Sequence, residues 1–481
     1  MRAFSNIPEA VSTDLLLWQK PSTDISVENT YELKVYPRET FSGNAPASFT
    51  VPPQPQGMLQ GIDIVTKFNI FKGDTKAELY EEVSIINNFT NSLWGLVEVK
   101  VSDRVDLMQS MRNAYAYTSY FDTILNTDPN RLDKLRKDQI FVMDTGVTKE
   151  DADDVSFTGI DVDHNSVNFD NIDTYVDEGE DAADGTTDEA VKKRKKLVRL
   201  QQNIAGIKRR RATFEETTVV SKLRCPLFNT HKVLPTNMDI HVSLTKNLDK
   251  FLILSAEDVY KVKISDVYLI ARYLRPSNVF LNLVEERLAN EAAPYFISKP
   301  EIIVKPVGTQ GKHIRLNNLF TDNKIPHHAF FCLQFSQDFE GNYSGNPFAF
   351  LPMNRFQIHL DGKPYFADPL TTEPYTSNGK VVYDKSGSFL RQLYSSIGKS
   401  DRGACLIDSL NYQQNFIVGV SFQPGRSGES LHGFLSPQLV SSTNLEIDLQ
   451  DTYKKDIVLI IYAVYDRMVK IHGDRSVEVV E

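Results

Sequence analysis

Ile457-Val-Leu-Ile-Ile-Tyr-Ala-Val464 is the longest strongly apolar run in the chain. It has the length of a buried strand and less than half of the roughly 20 residues that a helix needs to cross a bilayer. Around it lie further strand-like segments: Glu301-Ile-Ile-Val-Lys305, His328-Ala-Phe-Phe-Cys-Leu-Gln-Phe335, Phe356-Gln-Ile-His-Leu360, Phe416-Ile-Val-Gly-Val-Ser-Phe422 and Leu445-Glu-Ile-Asp-Leu449. Between them stand Gly341-Asn, Gly345-Asn-Pro347, Asp361-Gly362, Asn378-Gly379 and Pro424-Gly425, residues that form turns because glycine and asparagine tolerate positive φ and proline fixes its own. One good helix interrupts the series, Ser388 to Ile397. Phe389 and Leu393 share a face there, Ser386 or Ser388 supplies the cap and Gly398 the stop.

The N-terminal half reads in the same way. Tyr31-Glu-Leu-Lys-Val-Tyr36, Ile62-Asp-Ile-Val-Thr-Lys-Phe68 and Leu93-Trp-Gly-Leu-Val-Glu-Val-Lys-Val101 alternate with the period of a half-buried strand. Val219 to Leu227, Met238 to Leu244, Phe251 to Leu254 and Val259 to Leu269 continue the pattern. Helical spacing is expected over Asp103 to Asn126, over Asn130 to Lys137, and over Val279 to Ala292, which stops before Pro294. The expected division is an N-terminal unit over 1–278 and a C-terminal unit over 279–481, the second opened by the linking helix. Two strand-rich units of about 200 residues with few helices point to a mainly β protein built from two sandwiches or jelly rolls.

A single segment breaks the composition. Glu150 to Val191 holds fifteen acidic residues and no Lys or Arg, and Lys192 to Arg211 holds ten basic residues and no acid. Blocks of this kind repel themselves and carry no apolar period, so residues 145–215 are expected to be a solvated insertion in the first unit. The blocks together account for half of the net charge of minus ten, and the remainder is close to balanced. A surface basic throughout, as a dedicated nucleic-acid binder has, is excluded. With 41% hydrophobic and 24% charged residues, the 481-residue chain has ample material for two cores. Cys225, Cys332 and Cys405 are far apart and form no CxxC pair, which argues against a disulfide scaffold or cysteine zinc site and fits a reducing compartment. The acidic first thirty residues, with only Leu15 to Trp18 apolar, do not read as a signal peptide.

The motifs of catalysis are incomplete wherever they begin. Gly398-Lys399-Ser400 and Gly311-Lys312 look like the end of a phosphate loop, but Leu393 and Pro306 stand where its first glycine is required. Asp161-Val-Asp163-His-Asn165 opens like a calcium loop, yet Ser166 and Ile172 replace the glycine bend and the bidentate glutamate. His327 and His328 are adjacent, so on a strand one is expected to pack and the other to face water. No HxH or HxxxH pair presents two metal ligands on one face, and Gly425-Arg-Ser-Gly428 lacks the spacing of a nucleophile elbow. No catalytic residue, metal or cofactor is assigned. The basic residues Lys192, Lys193, Arg194, Lys195, Lys196, Lys208, Arg209, Arg210 and Arg211 look like a two-part nuclear import signal or a phosphate-neutralising patch. Against this stands a plain tether whose charges offset the acidic block.

The second half also carries a resemblance. Asn317-Asn-Leu-Phe320, Ile325-Pro-His-His-Ala-Phe-Phe331, Phe339-Glu-Gly-Asn-Tyr343, Asn346-Pro-Phe-Ala-Phe350 and Ile358-His-Leu-Asp-Gly362 follow one another in order. Phe389-Leu-Arg-Gln-Leu393, Val418 to Phe422 and Ile460 to Asp466 continue the series, and Leu234 to Leu254 with Tyr260 to Tyr268 extend it backwards. This collinear set resembles the double jelly-roll major capsid (hexon) proteins of Polinton/Maverick elements and adintoviruses, over residues 220–475. Leu351-Pro-Met-Asn354 departs from it, where a more aromatic or histidine-containing segment is usual.

The resemblance implies two eight-stranded antiparallel barrels in one chain, with a few short helices and long loops. It implies a homotrimer with six similar barrels about a threefold axis, forming pseudo-hexameric capsomers of an icosahedral DNA virus or virus-like transposon shell. Implied partners are neighbouring capsomers, penton or vertex and minor capsid proteins, and packaged double-stranded DNA through the basic loop. The implied location is the virion capsid, with synthesis in the cytoplasm and assembly in the host nucleus. Loops such as Phe339 to Phe350 would contact a neighbouring subunit or close their own barrel. A rival from another class is a jelly-roll carbohydrate-binding or glycan-processing protein, with Trp94, Tyr343 and Tyr375 stacking on sugars.

Overall fold

The computed structural model describes residues 26–141 and 216–480, apart from 40, 42, 44, 78–82, 103–104, 231, 256–257, 309–310, 344–345, 373, 378–379, 384–386, 399–404, 408–411, 413–415, 424–438 and 450–451. The charged insertion with its basic blocks, the calcium-loop-like stretch, Lys399-Ser400 and Gly425 to Gly428 lie outside the described residues.

In the first half, strands Val27–Val35, Tyr260–Pro276, Met58–Lys72 and Thr217–Lys222 lie side by side in that order. A second sheet runs Ala47–Val51, Ile240–Lys246, Trp94–Val101, Val105–Asp106. Counting only these eight strands along the chain and leaving out the short ones at 75–76, 83–85 and 253–255, the two orders are first-eighth-third-sixth and second-seventh-fourth-fifth. The second half repeats both: Ala293–Gly308, Ile457–Ile471, His328–Phe335, Val418–Ser421 in one sheet, and His313–Asn317, Thr443–Leu449, Met353–Leu360, Lys363–Pro364 in the other. Every pairing is antiparallel, and among the described residues no sheet mixes strands from the two sides of residue 278.

Alternation places the cores. Ile62, Ile64, Phe68 and Ile70 on one sheet and Phe49, Val97, Val99 and Val101 on the other are buried in the first roll. In the second, Phe331 of one sheet meets Phe356 of the other at 5.2 Å between ring centres. Strand His328–Phe335 is buried at every position, so its outer face is covered as well as its inner one. The run 457–464 is likewise buried on both faces at all but Val464.

Several boundaries differ from expectation for local reasons. The helix read over Asp103 to Asn126 begins only at Ala114, after Asn113 with φ 67°, and Val105–Asp106 is a short strand. Apolar residues at Val105, Met108 and Met111 imitate helical spacing in a segment that is a short strand followed by bends and a turn. The strand read over Val219 to Leu227 ends at Lys222 and gives way to a 3-10 turn at Pro226–Asn229, where proline starts the turn. Phe251 and Leu252 lie in a helical turn, Asp249–Leu252, before strand Ile253–Ser255. The strand read as 301–305 spans Ala293–Gly308. Ser388 lies inside the helix Gly387–Ser396 and donates to the Thr371 carbonyl, so it is no N-cap. Gly398, with φ 67°, follows that helix as expected.

Candidate functional site

The junction between the two rolls grows from one helix. Helix Ala114–Asn126 is buried almost all round, which a helix can be only when packed between two layers. Toward the second roll it presents Tyr117, Tyr120 and Phe121. Tyr120 stacks on Phe348 at 4.1 Å, and Phe121 stacks on Phe350 at 5.6 Å and on Tyr462 at 5.2 Å. Tyr117 stacks on Phe339 at 5.2 Å, and its hydroxyl donates to the Pro347 carbonyl at 2.8 Å with Gln334 Oε1 at 2.9 Å. Asn113 Nδ2 donates to the Phe339 carbonyl at 3.0 Å, and Arg224 straddles the helix, paired with Asp122 and donating to Thr123 Oγ1 at 3.0 Å. Of the aromatic stretch from Phe339 to Phe350, Phe348 and Phe350 are thus buried between the two rolls of one chain, with Phe339 half-buried against Tyr117.

Strand Ala293–Gly308 forms the edge at this junction. Pro294, Pro300 and Pro306 are opposite Lys470, Val464 and Val458 in one unbroken register, all at even positions. A proline has no N–H to give its partner, so these positions point away from strand Ile457–Ile471. Ile302 has the same parity, and its outward groups are both met by Gln109: its N–H donates to Oε1 at 2.8 Å and its carbonyl accepts from Nε2 at 2.7 Å. Lys232 Nζ donates to the outward carbonyl of Pro294 at 2.7 Å. Gly341, with φ 98°, approaches Phe251 so closely that an added Cβ would sit 3.0 Å from its backbone N and Cα.

A second clasp lies by the linking helix Asn278–Asn290. Arg475 Nη2 donates to both Glu285 oxygens at 2.6 Å, and its Nε donates to the Thr236 carbonyl at 2.7 Å. Partial burial pulls the Glu285 carboxyl upward, but hydrogen bonds from Arg475 and Thr236 outweigh it and hold the group below its ordinary value. Beside it is a cleft of about 530 Å³ lined by Glu285, His472, Asp474 and Ser476. Its polar groups are already engaged: Asp474 accepts from Ser476, and His472 lies 3.4 Å from Glu478. Among the described residues no three His, Cys, Asp or Glu side chains converge as metal ligands do. The three cysteines are buried and none of them forms a disulfide.

His327 and His328 correct the expectation of one packed and one solvated ring, because both are buried. The outer face of strand His328–Phe335 is covered, so neither side of it meets water. His327 Nδ1 lies 2.7 Å from Asp466 Oδ2. Burial, with the neighbouring His327, pushes His328 down to about 4. Trp94, first of the sugar-stacking candidates, is fully buried, and Tyr343 is half-buried with its hydroxyl 3.5 Å from the Tyr260 carbonyl.

Apolar side chains do reach the surface in two places. Val279, Phe280 and Leu283 share one side of the linking helix, with Val279 74% exposed. On the outer face of the first roll's 58–72 sheet, Val220 and Tyr36 are exposed at the two ends of a row whose middle members are the buried Val65 and the half-buried Tyr268. Lys34 Nζ lies 3.6 Å from the centre of the Tyr268 ring.

The whole described fold is similar to solved viral structures. A chain of the Sputnik virophage cryo-EM structure superposes with TM-score 0.58 at 11% identity, covering 99% of this chain and 93% of that one. The fold is a double jelly roll. The crystal structure of the mavirus major capsid protein gives TM-score 0.51 at 10% identity, over 100% of this chain and 96% of that one. PBCV-1 VP54, fitted into a reconstruction of the Sputnik virophage, gives 0.54 at 9%, over 96% and 99%. No family model matches the sequence, and no curated protein matches it. The double jelly-roll reading therefore holds at the level of fold, across both halves.

Sequence reasoning missed Gln109, Arg224 and Arg475. Each acts on a partner about 100 to 240 residues away, a separation that no local pattern reports. The even spacing of Pro294, Pro300 and Pro306 was the one local signal of a strand edge.

Proposed function

We propose that this chain is the major structural subunit of an icosahedral shell, assembling as a homotrimer whose six jelly rolls form a pseudo-hexameric capsomer. The observation that carries the reading is the repeated strand order in two rolls locked together by helix Ala114–Asn126, in a fold shared along its length with a major capsid protein. Two similar rolls held in fixed relation make each chain a third of a near-hexagonal tile. The rolls divide near residue 278, at the start of the linking helix. The chain performs no catalysis and holds no cofactor. We place it in the Polinton/Maverick and adintovirus lineage on the ordered series of motifs over residues 220–475.

In this reading the subunit meets copies of itself, then neighbouring capsomers, and then vertex and minor capsid proteins. The basic residues Lys192 to Lys196 and Lys208 to Arg211 serve nuclear import or contact with packaged double-stranded DNA, with synthesis in the cytoplasm and assembly in the nucleus. Fusing residues 190–213 to a fluorescent protein tests import: nuclear accumulation that disappears when the nine basic residues become alanine supports it, and uniform distribution removes it. Purified full-length protein assayed by light scattering and negative-stain imaging tests the trimer.

A further inference from the structure

We infer that the buried pair His327 and His328, with Asp466, is a proton-operated latch: it holds helix Gly387–Ser396 on the second roll at neutral pH and lets that helix go as the solution turns acid. The latch lies within one chain and needs no shell, so it stands apart from the proposed assembly.

Strand register places the cluster. His328 opens strand His328–Phe335, with Ser421 opposite it on one neighbour and Val464 on the other. Alternation puts it on the same face as Phe330, whose ring meets Tyr462 on the outer side of the sheet. Gly419, opposite Phe330, is where helix Gly387–Ser396 lands: a Cβ added there would sit 2.0 Å from Ser396 Oγ and 3.1 Å from Leu393 Cδ1. The Ser396 backbone, in the last turn of that helix, faces the His328 ring, and His328 is 7% exposed.

That enclosure has no partner for a second positive charge. Among the described residues neither ring nitrogen of His328 has a hydrogen-bond partner, nor does Ser421 Oγ across from it. Ser396 Oγ is spent on the Leu393 carbonyl at 2.7 Å. The Asp466 carboxylate already lies 2.7 Å from His327 Nδ1, and its other oxygen accepts from Ser298 Oγ at 3.3 Å. One carboxylate thus serves two imidazoles. The helix brings no Asp or Glu; its Arg391 is exposed, and its Tyr394 hydroxyl donates to the Ile407 carbonyl at 2.8 Å. Tyr365 donates to the Ser421 carbonyl, and on the adjoining strands Tyr465, Arg467, Lys299 and Glu301 alternate to the other face.

Burial, with His327 beside it, outweighs the pull of Asp466 and of the Ser396 backbone, and keeps the His328 ring neutral down to about 4. Once the helix leaves, the ring meets water and takes a proton near its ordinary value of 6.5. The open form therefore binds more protons than the closed one between pH 6.5 and 4, and opening gains as the pH falls through that window. Its effect reaches the roll junction. Tyr394 ties the helix to residues 405–407, and the Leu406 N–H donates to the Ile124 carbonyl at 3.1 Å, at the end of helix Ala114–Asn126. Release of helix Gly387–Ser396 loosens that attachment and uncovers Cys405, 4% exposed in the closed chain.

The native cysteines of the full-length chain report the opening. Cys405 sits beside the latch, while Cys225 and Cys332 are fully buried elsewhere and respond only to unfolding of the rolls. Labelling by a dipyridyl disulfide, which reacts in acid, is followed at each cysteine by mass spectrometry and divided by the rate for the urea-unfolded chain at the same pH. The Cys405 rate is expected to rise about 30-fold from pH 7.5 to 5, with Cys225 and Cys332 unchanged. In His328→Leu, checked at pH 7.5 for an unaltered circular dichroism spectrum, the rise is expected to vanish. Should that variant not fold, hydrogen exchange in the wild type decides: amides of Arg391 to Ile397, corrected for intrinsic rates, are expected to lose protection over the same window while those of strand His328–Phe335 keep theirs. A Cys405 rate that ignores pH overturns the latch. So does one that rises together with Cys225 and Cys332, because the chain then opens as a whole.

Discussion

Tyr117 shows what a single buried residue holds at the roll junction. Its ring packs against Phe339, Phe251 and Phe348, and its hydroxyl is the donor to the Pro347 carbonyl beside Gln334. Tyr117→Phe keeps the ring and takes the hydroxyl from Gln334 Oε1, while the Pro347 carbonyl keeps the hydrogen bond from Gln334 Nε2. Urea unfolding is expected to show a loss of about 1–3 kcal/mol. His328 provides a pH dependence. It is neutral in the fold because burial holds it near 4, whereas the unfolded chain protonates it below its ordinary value of 6.5. The unfolded state therefore binds more protons between pH 6.5 and 4, and stability from this group is full above 6.5 and lost as the pH falls through that window. The loss amounts to about 3 kcal/mol. Melting curves from pH 7.5 to 4.5 are expected to fall less steeply for His328→Leu than for wild type; parallel curves would remove His328 as the cause.

At the scale of elements, the edge strand Ala293–Gly308 explains why the two rolls stay together. Its prolines remove the outward N–H at three positions, and Gln109 meets both outward groups of the buried Ile302. Gln109→Ala is expected to cost about 1–3 kcal/mol in chemical denaturation, and Gln109→Glu to cost more, because a carboxylate cannot donate to the Ile302 carbonyl. Strand existence was legible from alternation, as in Thr443–Leu449, where buried and half-buried positions alternate without exception. Helix onset was less legible: Val105 and Met108 fit a helical period, yet Val105–Asp106 is a strand and the chain bends and turns through 108–113 before the helix starts at Ala114. The site itself was legible only as composition. Phe339 to Phe350 announced an interface by aromatic content, but its position between rolls depends on helix Ala114–Asn126, some 200 residues earlier.

At the scale of the whole molecule, both described halves form complete rolls without residues 145–215, because the sixth strand of the first roll begins at Thr217 and finds its partner in Met58–Lys72. Deleting residues 150–211 is expected to leave the cooperative unfolding transition and the oligomer unchanged. Loss of either would make the charged insertion part of the folding unit. The most direct test of the central claim is the mass of the purified wild-type chain in solution, measured by light scattering with images of the same peak. A species of three times 54.6 kDa with a hexagonal outline is the predicted result. A monodisperse single chain that stays a monomer as its concentration is raised would contradict the account.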